Sequence, residues 1–173
     1  MGASTKFIKS ASGSAVSSLS VTDCFSAKYD VYFFSFYNVQ NSISANHNFR
    51  LIDSGGTPIS ASEYDWAILQ FAAGGDTNVY NYTATNTSSN TSWSFVSRKD
   101  TDATGQGVTG YFFNPNDSSS YTFFKSQASF ISTNHTMRKM IGVHKVAEQI
   151  TGFNLFPNSG SYDYLEVKVY GVK

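Results

Sequence analysis

Apolar and polar residues alternate at a period of two through most of this chain, which is the signature of strands with one buried face. The closing run is the plainest case. Leu165, Val167, Val169 and Gly171 fall on one side, and Glu166, Lys168 and Tyr170 on the other. It follows a second apolar run from Ile150, and the link Pro157-Asn158-Ser159-Gly160-Ser161 has the residues of a tight turn. The pair reads as a terminal hairpin that finishes the sheet, so truncating its last strand is expected to unfold the domain.

Upstream, Thr5 to Lys9 reads as a short strand, Ser10 to Ser18 as a Ser/Ala/Gly link, and Val16, Leu19 and Val21 as weak support for a second strand. Tyr29 to Val39 (YDVYFFSFYNV) is a near-continuous aromatic and β-branched run, expected to be a central strand covered on both faces. Asn46 to Ile52 alternates and ends in the turn Asp53-Ser54-Gly55-Gly56, with a strand restarting near Pro58. Glu63 to Phe71 has helix-forming residues, but Tyr64, Trp66 and Ile68 alternate strictly, and the periodicity makes it a strand. Gly74 to Thr91 reads as a long exposed loop, with room for a small hairpin. Trp93, Phe95 and Ser97 share one side of the next strand, and Arg98 to Gln106 is another loop. Strands at Gly107 to Asn114 and Tyr121 to Ser132 flank the turn Pro115-Asn116-Asp117-Ser118, and Met137 to Val146 precedes the terminal pair. Strands every 10 to 15 residues or so, with no helix between them, predict an all-β antiparallel sandwich or barrel. One domain over residues 1–173 is expected.

Composition agrees and narrows the partners. Aromatic residues make up 16% of the chain, charged residues only 14%, and the formal net charge is zero. That balance gives no reason to expect nucleic acid or an acidic membrane as partner. No apolar run approaches the length that crosses a bilayer, and MGASTKFIK carries no signal-peptide core. Cys24 is the single cysteine and reads as a small buried residue.

Candidate chemistry is sparse. His47, His135 and His144 are scattered and belong to no recognised motif, so packed or edge histidines are expected, with neither a metal nor a cofactor. Glycoside hydrolysis needs two carboxylates about 5 to 9 Å apart. Asp30, Asp53, Glu63, Asp65, Asp163 and Glu166 are available, but nothing pairs them in sequence. The candidate ligand-binding residues are Tyr80, Tyr82 and Trp93, since aromatic rings on sandwich loops stack on sugars or anchor protein interfaces. Trp93 has a second reading as a core residue, and both stay open. A non-enzymatic role is expected, with a carbohydrate-binding module or glycan-cleaving domain as the alternative.

Several segments resemble small β-sandwich virion proteins of tailed bacteriophages, nearest those of marine and freshwater cyanobacterial phages. They are Ile150-Thr-Gly-Phe153, the Asn-Ser-Gly turn, and Val169-Tyr-Gly-Val-Lys173 at the end. Similar too are Ser20 to Ser26 with Tyr29-Asp30, Asn48 to Ile52 before a Ser-Gly-Gly turn and Tyr64, and Tyr111 to Pro115 ahead of Ser119 to Thr122. The resemblance implies a jelly-roll-like module on the virion exterior, serving as capsid decoration, head fibre or tail tip. It further implies other virion proteins as partners, assembly as a homo-oligomer (a trimer by that likeness), and a host surface glycan as a possible contact.

Overall fold

The computed structural model describes residues 4–73, 81–99, 106–131 and 134–173. Twelve strands occupy them: β1 (Thr5–Val16), β2 (Leu19–Val21), β3 (Val31–Asn41), β4 (Ala45–Asp53), β5 (Tyr64–Ala73), β6 (Asn81–Asn90), β7 (Trp93–Lys99), β8 (Gly107–Phe113), β9 (Thr122–Ile131), β10 (His135–His144), β11 (Ile150–Pro157) and β12 (Tyr162–Val172). They form two antiparallel sheets packed as a sandwich, one ordered β1-β12-β3-β8-β9-β10-β5-β6 and the other β2-β11-β4-β7.

The pairing has the nested pattern of a jelly roll. β2 pairs with β11, β3 with β8, β4 with β7, and β5 with β6. Successive strands of this set fold back on one another from the outside in, as two Greek keys do. Two additions widen the larger sheet. The β9–β10 hairpin is inserted between β8 and β5, and β12 with β1 extends the sheet beyond β3.

The terminal hairpin is therefore corrected. β11 and β12 lie in opposite sheets, and residues 158–161 carry the chain from one layer to the other. The short polar turn is real, but β11 finds its partners in β2 and β4, and β12 in β1 and β3. Two further expectations shift for one physical reason, pairing supplied from outside the segment. The Ser/Ala/Gly stretch after Lys9 continues β1 along β12, and the polar end of the expected 74–91 loop is β6, paired with β5. Both are edge strands, where small and hydroxyl-bearing side chains suffice and an apolar surface would invite further strands. Glu63 to Phe71 is strand as expected, whereas near Pro58 only an isolated bridge to Ile52 forms.

The core between the sheets is dominated by rings. Phe112 lies 5.1 Å from Phe34 and 5.0 Å from Phe153, and Phe49 lies 5.5 Å from Phe153. β9 shows how the sequence places them. Thr122, Phe124, Ser126, Ala128 and Phe130 are buried, and every residue between them is exposed.

Candidate interaction surface

Of the three aromatic candidates, Trp93 is corrected to the core. Its side chain is fully buried, stacks on Phe124 at 4.6 Å and meets Tyr64 edge-on at 5.4 Å. Its Nε1 donates to the Val143 carbonyl at 3.4 Å. The backbone of β10 comes this close because residue 142 is glycine: a Cβ there would stand 2.6 Å from Trp93 Nε1. Tyr82 lies on β6, its backbone opposite Phe71. Tyr80 lies outside the described residues, as do residues 74–79 and 100–105 of the two expected loops. The expected common side of Trp93, Phe95 and Ser97 breaks at Phe95, whose φ of 62° turns its ring outward where the β4–β7 register shifts.

Among the described residues, no other layer covers the outward face of the large sheet. Following the strand register, one row of paired positions crosses all eight strands. Its first half is aromatic: Phe7, Tyr170, Phe33 and Tyr111, on β1, β12, β3 and β8. Successive ring centroids are 5.7, 5.9 and 5.3 Å apart at tilted or edge-on angles, so the rings hold one another in place. The row continues through Lys125, Ile141, Ala67 and Asn86, on β9, β10, β5 and β6. Lys125 Nζ lies 4.8 Å from the Tyr111 ring and 5.4 Å from Phe113. A neighbouring row places Phe113, Phe123 and Val143 together. Here the surface sinks into a trough of about 550 Å³ lined by Phe113, Phe123, Lys125, Ile141, Val143 and Ala67.

These side chains are unusually exposed for their type: Ile141 is 65% accessible, Phe7 53% and Phe123 46%. Both additions to the jelly roll feed this face, β1 and β12 with Phe7 and Tyr170, and the β9–β10 hairpin with Phe123 and Ile141. β3 was expected to be covered on both sides. The structure covers Tyr32, Phe34 and Phe36 and leaves Phe33 and Tyr37 on the open side. The signal for this surface is present in the sequence, as strands apolar on both faces.

Two polar groupings have the residue types of catalytic or metal sites. In the first, His47 Nδ1 lies 2.7 Å from Ser97 Oγ and Nε2 lies 3.0 Å from Asn41 Nδ2. With the Asn41 amide donating to Nε2, the ring proton sits on Nδ1 and is donated to the serine. A histidine so placed does not take the serine's proton. His47 and Ser97 are fully buried, and desolvation, with Arg138 and Lys99 nearby, lowers the His47 pKa to about 3. In the second grouping, the buried His144 Nε2 lies 3.1 Å from Glu63 Oε2 and 3.8 Å from Glu148 Oε1. Glu148 had no place among the sequence candidates, because the link after β10 brings it in. Burial raises its carboxyl pKa, His144 opposes that, and Glu63 and Asp53 reinforce it. These three are the described residues that could hold a cation. Nε2, however, is engaged by Glu63, and Nδ1 has no partner to brace the ring as metal-bound imidazoles usually are. The grouping ties the start of β5 to the end of β10. Asp65 has a similar task, accepting from the Ser89 amide at 2.7 Å and pairing with Lys145 at 3.0 Å.

No protein-family model and no curated protein matches the chain. Among solved structures, the infectious bursal disease virus VP2 subviral particle is similar at 11% identity and a TM-score of 0.14. The alignment covers 99% of this chain and 36% of that one, and likeness at that score carries no argument.

Proposed function

We propose that this chain is a non-enzymatic structural protein of a tailed-phage virion, carried on the particle exterior as capsid decoration, head fibre or tail tip. The observation that supports the reading is the open face of the large sheet. Exposed apolar side chains stand on it in two groups: Phe7, Phe123 and Ile141 about the aromatic row, and Tyr37, Phe71 and Ile131 beyond the polar row Lys168, Ser35, Thr109, Gln127 and Lys139. Apolar patches rimmed by polar residues are the character of a protein contact surface, which fits a subunit. Jelly rolls serve both capsids and lectins, so the fold alone does not choose between them. The carbohydrate-binding alternative has lost Trp93 to the core, and the Ser97–His47–Asn41 group is sealed from substrate, which leaves binding through a protein surface as the better-supported role.

Mass spectrometry of purified particles of the encoding phage tests this. The chain is expected among the virion proteins, with a copy number relative to the major capsid protein that separates decoration from fibre or tip. Its absence from intact particles would contradict the reading.

A further inference from the structure

We propose that two copies of this chain pack open face to open face, about a two-fold axis that runs parallel to the strands between β8 and β9. This rests on the subunit reading above and names the occupant of its surface.

Three observations carry it. The first is size. A stable interface buries about 800 Å² of mixed surface per partner, and an eight-stranded face that carries two exposed apolar groups with the polar row Lys168, Ser35, Thr109, Gln127 and Lys139 between them is of that order. The second is self-complementarity. The midline of the eight-stranded sheet falls between β8 and β9. On one side lie the four strands of the aromatic row, and on the other the four strands of the trough. A two-fold parallel to the strands inverts that order and sets each copy's aromatic half over the other's trough. Because such an axis keeps each residue at its level along the strand, the opposing positions can be read from the register. Phe33 on β3 meets Ile141 on β10 of the second copy. Tyr170 on β12 meets Ala67 on β5, a large side chain over a small one. Tyr111 on β8 meets Lys125 on β9, so the ammonium already held over the Tyr111 and Phe113 rings gains another aromatic face. The third is restraint at the edges. β1 carries Lys6 and Lys9 beside a register shift, and β6 shifts register between Thr87 and Asn90, features that disfavour sheet-edge pairing and leave face packing as the available route.

The test is sedimentation velocity of the full chain over a hundredfold concentration range, with two variants. Wild type is expected at twice the 19.0 kDa chain mass. Ile141→Glu places a charge at a position 65% accessible in the free chain, so the fold tolerates it and a circular-dichroism melt checks that. It is expected to weaken association by at least about 30-fold, because the charge is buried against rings in the dimer. Ile43→Glu, exposed to 45% in the β3–β4 link away from this face, is expected to leave association unchanged. A second experiment reads the geometry. In one chain β12 and β5 stand five strand spacings apart, roughly 24 Å. Sheets packed face to face stand about 10 Å apart, so a short bis-maleimide of about that span joins the double variant Tyr170→Cys, Ala67→Cys only between copies, the native Cys24 being buried. A covalent dimer on treatment with that reagent is expected. A monomer throughout the range, a three-fold mass, a folded Ile141→Glu variant that associates like wild type, or no cross-linked dimer would overturn the proposal. A monomeric chain still found in purified particles would overturn this inference and leave the subunit reading standing.

Discussion

His47 shows at the scale of a residue how burial sets chemistry. Its ordinary pKa is 6.5, and in the fold it is lowered to about 3. In that window the unfolded chain binds a proton that the folded chain refuses, so unfolding becomes easier as the pH falls. Full stability is expected above pH 6.5, with a loss of up to about 1.4 kcal/mol per pH unit from this group on the way down to pH 3. Urea midpoints at pH 7, 5 and 4 measure it, and the His47 ring resonances are expected not to shift between pH 7.5 and 4. Ring resonances that titrate near pH 6 would contradict the sealed Asn41–His47–Ser97 arrangement. Cys24 follows the same logic. Burial pushes its thiol well above the ordinary range, so a thiol reagent is expected to react only after denaturant is added. At Gly142, valine would drive a side chain into the Trp93 ring. A loss of about 1–3 kcal/mol is expected for Gly142→Val, and about 3–5 kcal/mol for Trp93→Ala, both read from denaturation midpoints. An aromatic residue of the right type at a strand start reads equally well as ligand platform or core. What decides for Trp93 is a glycine some fifty positions away, and no local pattern carries that.

Elements were legible where the pattern was local. The alternation in Glu63 to Phe71 and in the last run correctly gave strands with one buried face, because a two-residue period states which side is inward whatever the partner. Partner choice was not legible. β11 and β12 are neighbours in sequence joined by turn residues, the ordinary grammar of a hairpin, yet they sit in different layers. β6 shows the converse: its Asn, Thr and Ser residues read as loop, and only the hydrogen bonds offered by β5 make them a strand. The correction sharpens a prediction. β12 is an interior strand, bonded to β1 on one side and β3 on the other, and it buries Leu165, Val167 and Val169 fully. A chain ending at residue 161 is expected to lose its cooperative unfolding transition and its dispersed amide spectrum. A folded truncated chain would mean that β1 can pair directly with β3.

Over the whole molecule, the jelly-roll winding uses eight strands, and the other four widen one sheet. Those four bring Phe7, Tyr170, Phe123 and Ile141 to the side that no layer among the described residues covers. The sequence carried the aromatic surplus that this requires. It did not carry the register, which lines the rings into one row, nor the strand order, which divides that row evenly about the sheet midline. In the sequence the candidate surface is accordingly readable only as strands apolar on both faces. A subunit is the economical explanation of such a face, and a reconstruction of the intact particle addresses it most directly. The domain is expected in symmetric copies on the exterior, with the Phe33–Tyr111–Ile141 face buried in a protein contact. Particles in which the domain is present but that face lies open to solvent, or particles that lack the domain altogether, would contradict the account.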